Sequence, residues 1–177
     1  MSGHNKWSKI KRQKAGTDAA KSKIFSKMAK LISTASREAQ GNISSPTLRA
    51  AIDKAKEYNM PSDNIERAIK KGVGGDNESL EAITYESYGP GGSALIIEAL
   101  TGSRNKAAQE IKHILSKHGF DLAQPGSAQW AFTKNESRDW VPNLTVPLSS
   151  DDEKILENLI NELEDNEEVQ EVYTNAG

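Results

Sequence analysis

Apolar residues recur at helical spacing through the first part of the chain and shift to strand-like runs in the second. Ile24, Met28, Leu31, Ile32 and Ala35 fall at i, i+4, i+7, i+8 and i+11, one face of a helix over residues 17–39. Thr17 or Asp18 can cap its start, and Gly41 follows its end. Ser45-Pro46 opens a second helix with proline at the first helical position, and Leu48, Ala51, Ile52 and Ala55 carry its stripe to about residue 58. Pro61-Ser62 opens a third, shorter helix bearing Ile65, Ala68 and Ile69, which Gly72 is expected to stop. Short amphipathic helices of this kind bury their stripes only against one another or against a partner.

Beyond Ile69 the period changes. Gly72-Val73-Gly74-Gly75-Asp76-Asn77 reads as a flexible boundary, dividing the chain into domains over residues 1–75 and 76–177. Residues 82–88 read as a strand, Tyr88-Gly89-Pro90-Gly91-Gly92 as a tight turn, and residues 93–100 as a buried strand. Ala94-Leu95-Ile96-Ile97 has no polar alternation, the mark of a central strand covered on both faces. Helices are expected on one face, and another layer or the helical domain on the other. Ser103 can cap a helix carrying Ala107, Ile111, Ile114 and Leu115, ended by Gly119. Residues 128–133 and 144–148 are the next expected strands, with Pro147 placing the second at an edge or a strand end. Ser150-Asp151-Asp152-Glu153 reads as a capping box for a helix striped by Leu156, Leu159, Ile160 and Leu163, and residues 169–174 as a final strand. The expected class is α+β: an N-terminal three-helix domain, then a ferredoxin-like β-α-β-β-α-β domain with residues 82–88 as an extra strand.

Composition narrows the chemistry. The chain of 177 residues is 36% hydrophobic and 27% charged, polar but within the range of folded domains. Zero cysteine excludes a disulfide scaffold, a thiolate metal site and a cysteine nucleophile. Only His4, His113 and His118 remain as imidazoles, so no metal and no cofactor are expected. No apolar run is long enough to span a membrane, and the first sixteen residues lack the apolar core of a secretion signal. The cytoplasm is the expected compartment.

Charge is divided along the chain. Residues 1–75 hold 16 basic and 6 acidic side chains, and residues 76–177 hold 7 and 19, so the net −2 conceals +10 and −12. Lys6, Lys9, Lys11, Arg12, Lys14, Lys21, Lys23, Lys27, Lys30 and Arg37 face a single acid, Asp18, within residues 1–37. Such a segment gains sequence-independent affinity for a phosphate backbone through counterion release. The bland reading is solvated lysines, or two halves that pair with each other. Trp7 amid this charge can stack on an unpaired base, or it can pack over the helical bundle. His4 in the same arm reads as a mobile contact.

Other motifs carry less. Tyr88-Gly89-Pro90-Gly91-Gly92-Ser93 lacks the Gly-Lys-Ser/Thr ending of a phosphate loop, and a strand follows where a helix should. It reads as a turn, with free N–H groups that can touch a nucleic-acid backbone. No Gly-x-Ser-x-Gly and no His-Glu-x-x-His is present, so catalysis is not expected. His118 before Gly119 reads as a partner of a helix C-terminal dipole. Glu162, Glu164, Asp165, Glu167 and Glu168 read as a charged helix end rather than a cation site, and Glu86 and Glu98 as strand residues facing solvent.

Several segments together resemble the YebC family. They are Gly3-His4-Asn5-Lys6-Trp7 with Ile10-Lys11 and Lys14, Lys23-Ile24-Phe25-Ser26-Lys27, and Leu48-Arg49-Ala50-Ala51. Asn59-Met60-Pro61-Ser62-Asp63-Asn64-Ile65-Glu66-Arg67, Tyr85-Glu86-Ser87-Tyr88-Gly89-Pro90-Gly91-Gly92 and the closing Val169-Gln170-Glu171-Val172-Tyr173-Thr174-Asn175 fit as well. The resemblance spans nearly the whole chain. It implies a non-enzymatic factor in gene expression, acting as a transcriptional regulator on DNA or in translation at the ribosome. It also implies a nucleic-acid face made of the basic arm and first helix, that is His4, Lys6, Trp7, Lys9, Lys11, Arg12, Lys14, Lys21, Lys23, Lys27 and Lys30. Family members usually carry a further domain between the strand ending near Lys134 and Val141, which only residues 135–140 join here. The expected partners are therefore DNA or ribosomal or transfer RNA, with the ribosome itself as a candidate, and neither a membrane nor a small-molecule substrate. The rival expectation is a protein–protein adaptor working through the acidic domain. Lysines mostly touch phosphate and choose sequence weakly, which favours backbone or shape recognition.

Overall fold

The structure, a computed structural model, describes Trp7, residues 16–75 and residues 79–177. The chain forms two compact units, Ser8–Ser79 and a second made of Met1–Trp7 with Leu80–Gly177.

The first unit is helical. Helix α1 (Asp18–Ala39) starts at Thr17, whose hydroxyl oxygen accepts from the Ala20 N–H at 3.2 Å, and ends at Gln40 in the left-handed conformation. Helix α2 (Pro46–Glu57) begins on its proline, and α3 (Ser62–Val73) follows Pro61. Met28, Ile32 and Ala35 of α1 form one core with Leu48, Ala51 and Ala55 of α2, and with Met60, Ile65 and Ala68. Each large side chain buried in this way stabilises the unit by about 1.5–3 kcal/mol. Gly72 does not stop α3, as expected from sequence, but lies inside it. A Cβ there would overlap the Ser33 carbonyl oxygen and lie 2.7 Å from Ser36 Cβ. The glycine is a contact point where α3 presses on α1, and Ser36 Oγ donates to the Ile69 carbonyl at 2.7 Å beside it.

The second unit is built on a three-stranded antiparallel sheet, in the order β1-β2-β5. Strand β1 (Glu81–Tyr88) pairs along its whole length with β2 (Ala94–Thr101), from Glu81↔Thr101 to Tyr88↔Ala94. Strand β5 (Val169–Thr174) pairs with the other edge of β2 and is interrupted by a bulge at Glu98/Ala99. Central β2 is buried at every position but Glu98. Helices α4 (Arg104–Lys117) and α5 (Ser150–Asp165) pack against each other, α4 against β2 and α5 against β5. Ala94 and Ile96 instead meet Ala128, Ala131 and Phe132, with Trp140 and Tyr173 packed alongside. The α+β class and the β-α-β-β-α-β element order stand as expected. The middle hairpin, β3 (Phe132–Lys134) with β4 (Trp140–Pro142), forms a two-stranded sheet of its own, and the extra strand β1 takes the edge of β2 opposite β5.

Three local expectations are corrected. Residues 128–133 are not one strand: Gln129–Ala131 form a 3-10 turn and only β3 is extended, because Glu86 gathers the N–H groups of Ala128 and Gln129. Residues 144–148 make a single bridge, Val146↔Ala176, and the strand lies earlier, at β4. The cap of α5 is Ser149, one residue before the expected box, its Oγ accepting from the Asp152 N–H at 3.2 Å.

Candidate nucleic-acid interface

Helix α1 determines where its lysines stand. The buried stripe Met28, Ile32 and Ala35 turns that face inward. Lys23, Lys27 and Lys30 sit one position before Ile24, Met28 and Leu31 and so flank the stripe, Lys23 exposed and the other two half-buried. Lys21 is exposed. Arg49, Lys56, Arg67, Lys70 and Lys71 add exposed cations on the same unit. Several lie in the last turns of their helices (Arg37 in α1, Lys54 and Lys56 in α2, Lys70 and Lys71 in α3), where the C-terminal dipole favours positive charge. With 15 basic and 8 acidic residues over Ser8–Ser79 the helical unit carries +7, and with 8 and 17 the other unit carries −9.

His4, Lys6, Lys9, Lys11, Arg12 and Lys14 lie outside the described residues. Trp7 is described, and it is 8% exposed. Its Nε1–H donates to the Ala176 carbonyl at 3.1 Å. Of its two readings the geometry carries packing, with the indole buried and bonded to Ala176 of the α/β unit.

The acidic unit pairs much of its charge. Lys117 and His118 both bond to Glu162, each at 2.5 Å, and these two contacts hold the Glu162 carboxyl below the usual carboxylate range. His118 is thus the C-cap of α4 as well as a side-chain partner of α5. Lys106 meets Glu168 at 3.1 Å, and Arg104 bonds to Glu81. Glu164 accepts from the Val172 N–H at 3.3 Å. Among the described residues no cluster of His, Asp or Glu could hold a metal ion, and no helix is long and apolar enough to cross a membrane. At the Pro90–Gly92 turn, a Cβ built on Gly91 would stand 3.4 Å from Asp152 Oδ2. A carboxylate beside the turn opposes a phosphate there.

Glu86 and Glu98, expected to face solvent, do not. Glu86 is 2% exposed. Its carboxylate accepts from the backbone N–H of Gly126 (2.6 Å), Ala128 (2.9 Å) and Gln129 (2.8 Å), and from Gln129 Nε2 (3.0 Å). Glu98 is half-buried and accepts from Trp140 Nε1 at 2.5 Å and Thr84 Oγ1 at 3.2 Å. The loop that Glu86 gathers carries Trp130, 59% exposed, whose Nε1–H donates to Tyr88 Oη at 2.9 Å. Tyr88 Oη in turn donates to the Ser127 carbonyl at 2.5 Å. Strand alternation concealed all of this. The only cue was a lone acid on a strand whose partner face needed covering, with Pro125-Gly126-Ser127 downstream to turn the chain toward it.

Comparison with known proteins places this geometry. A TACO1/YebC protein N-terminal domain description matches residues 5–75, and a TACO1/YebC second and third domain description matches residues 80–138 and 133–176. The two stretches of that second description overlap at residues 133–138. A "Probable transcriptional regulatory protein" of Fervidobacterium nodosum is 54% identical over 136 residues, 76% of this chain and 54% of that protein. This chain therefore spans about half the length of that relative. One of the same title from Desulfitobacterium hafniense is 43% identical over 183 residues, covering 100% of this chain and 71% of its own. A third, from Kosmotoga olearia, is 36% identical over 236 positions, 99% of this chain and 94% of its own. Among solved structures, a conserved hypothetical protein from Aquifex aeolicus superimposes with a TM-score of 0.77 at 29% identity, over 90% of this chain and 91% of that one.

Proposed function

The chain belongs to the TACO1/YebC family, and on that premise we propose that it is a cytoplasmic, non-enzymatic regulator of gene expression that grips nucleic-acid phosphates with its basic N-terminal segment and α1. The observation that carries the reading is the segregation of charge between units, +7 on the helical one and −9 on the other. Lys21, Lys23, Lys27 and Lys30 of α1 continue the cationic run of Lys6, Lys9, Lys11, Arg12 and Lys14. An acidic partner unit keeps the molecule soluble and is itself repelled by the polyanion. Lysines dominate over base-reading Asn, Gln and Arg on α1, so the grip suits backbone and shape, as in structured RNA, more than a base sequence. The titles of the relatives favour DNA-linked transcriptional control.

The test is binding of the intact chain to duplex DNA and to structured RNA across a salt series, with co-sedimentation on ribosomes before and after DNase. Replacing Lys9, Lys11, Arg12 and Lys14 with Ala is expected to weaken binding and lower the log–log salt slope by about 0.7–0.9 per lost phosphate contact. An unchanged slope would remove the arm from the interface. Sedimentation with ribosomes that survives DNase selects RNA, and sedimentation that DNase abolishes selects DNA. One observation favours the rival adaptor reading: Trp130 is exposed yet held in place by Tyr88. Loss of regulation on removing residues 1–37 would count against that rival.

A further inference from the structure

The α/β unit is acidic as a whole, but its two helices differ in sign. Helix α4 holds Arg104, Lys106, Lys112 and Lys117 against one acid, Glu110, and so carries +3. Helix α5, packed against it, holds seven acids against Lys154 and carries −6. The two are stitched along one side of α4. Lys117 meets Glu162 of α5 at 2.5 Å. Just beyond α5, Glu168 meets Lys106 at 3.1 Å, and Asn166 Nδ2 donates to Glu110 at 3.0 Å. Arg104, in the first turn, bonds to Glu81 of β1. Ala107, Ile111, Ile114 and Leu115 form the buried stripe. What remains is an outer face. Asn105, Gln109, Lys112 and Ser116 stand at i, i+4, i+7 and i+11, with His113 one turn from Gln109, and all five are exposed. The single acid of α4 is turned aside to Asn166. Among the described residues no hydrogen bond or ion pair engages these five side chains. Their chemistry differs from that of α1, where lysines dominate: two amides, a hydroxyl and an imidazole surround one ammonium. An amide carries a donor and an acceptor side by side, which matches a base edge, whereas an ammonium takes a phosphate.

We propose that the outer face of α4 reads a short stretch of unpaired bases in a nucleic acid, with Asn105 and Gln109 bonding base edges and Lys112 holding a flanking phosphate. The inference rests on the nucleic-acid reading above and deepens it by naming the chemistry recognised and the residues that recognise it. Acidic α5 decides between unpaired bases and a duplex. A helix lying in a major groove has a phosphate backbone on each flank. Here one flank would set a backbone against the seven acids of α5. Bases splayed from a loop or bulge are read on their exposed edges and need few phosphate contacts. From Asn105 to Ser116 the face is about 16 Å long at the helical rise of about 1.5 Å per residue, the reach of a few nucleotides.

The experiment measures binding of the full chain across a salt series to hairpin RNAs whose unpaired loops differ in sequence, and to a blunt duplex of the same stem. The unsubstituted chain is expected to bind hairpins more tightly than the duplex and to rank the loops. The double variant N105A/Q109A should lose about tenfold on the best-bound loop and flatten the ranking, with an unchanged salt slope because no charge is removed. K112A should weaken all loops alike and lower the log–log slope by about 0.7, the value for one phosphate of a single strand. K154A, on α5, should change neither ranking nor slope. The substituted side chains are exposed and alanine favours a helix, so unfolding midpoints should hold. Should the double variant unfold, Q109A decides by the same ranking. A ranking that survives in the α4 variants overturns this inference and leaves the proposed function standing. Equal losses on the blunt duplex overturn it in favour of docking in a groove. If the unsubstituted chain binds no nucleic acid, both readings fall, and a polyglutamate peptide bound by it but not by K112A then assigns the face to an acidic protein.

Discussion

At the scale of single residues, the most constrained group is Glu86. A carboxylate removed from water is tolerated where donors replace the lost hydration, and here three backbone N–H groups and one side-chain amide do so. Glu86→Gln keeps the shape but aims an NH₂ group at donors. It is expected to cost about 3 kcal/mol, read from urea midpoints, with faster amide exchange at Gly126, Ala128 and Gln129. A loss below about 1 kcal/mol would show that the loop holds itself. Tyr173 gives a pH signature. Its hydroxyl contacts Glu171 Oε2 at 2.9 Å and Asp139 Oδ1 at 3.0 Å. Desolvation first, and then these two negative charges, push the phenol well above its usual pKa. The folded state therefore favours the neutral phenol. That contribution is complete below the ordinary phenol pKa of about 10 and is lost as pH rises through it toward the folded value. Thermal unfolding between pH 8 and about 11.5 should show Tyr173→Phe flattening the alkaline decline. A shallower slope should persist from Tyr85, whose hydroxyl desolvation raises in the same direction.

At the scale of elements, Gly72 decides how α3 meets α1. Gly72→Ala adds a methyl where the Ser33 carbonyl already stands, and even the helix propensity gained from alanine does not offset that overlap. A destabilisation of about 2 kcal/mol is expected by chemical denaturation, and a neutral result would mean that the two helices can slide apart. The same glycine shows why the sequence is only partly legible. A glycine at the end of an apolar stripe signals a stop by local rules, whereas its actual use is a close approach to a helix more than thirty positions earlier. Where packing follows periodicity alone, as in the stripes of α1, α2, α4 and α5, the elements could be read within a residue or two. Where a distant side chain commands the backbone, they could not. Residues 128–131 have strand composition, yet they turn because Glu86 reaches them from β1. Residues 144–148 likewise have strand composition and are left with one bridge to Ala176. The lysines of the candidate interface were legible from charge alone, since nothing but local sequence sets their count. The seat of Trp7 was not, because its partner is 169 residues away.

At the scale of the whole molecule, the α/β unit covers Ala94 and Ile96 with its own Ala128, Ala131 and Phe132. The β3–β4 hairpin is tied at its tip by Asn135, whose N–H donates to the Asp139 carbonyl at 3.0 Å and whose Oδ1 accepts the Asp139 N–H at 2.9 Å. This is also where the two stretches matched by the second family description overlap, at residues 133–138. Lengthening a loop between two settled strands costs little, because closure entropy grows only logarithmically with length. A ten-residue Gly/Ser insertion between Glu136 and Ser137 should therefore lower stability by only about 1–2 kcal/mol, judged from denaturation midpoints, and leave nucleic-acid affinity unchanged. Collapse of the unit would show that the tight turn is needed to assemble the layer. The long reach from Trp7 to Ala176 has a consequence of another kind, in time. A nascent chain grows at about 5–20 residues per second, so the seat for Trp7 is made only roughly 10–30 s after Trp7 itself. The helical unit, whose buried core is drawn from Met28 to Ala68, can be finished long before then. For that interval the youngest protein carries a folded, cationic bundle while the indole of Trp7 still lacks its acceptor, and only completion of the second unit supplies one.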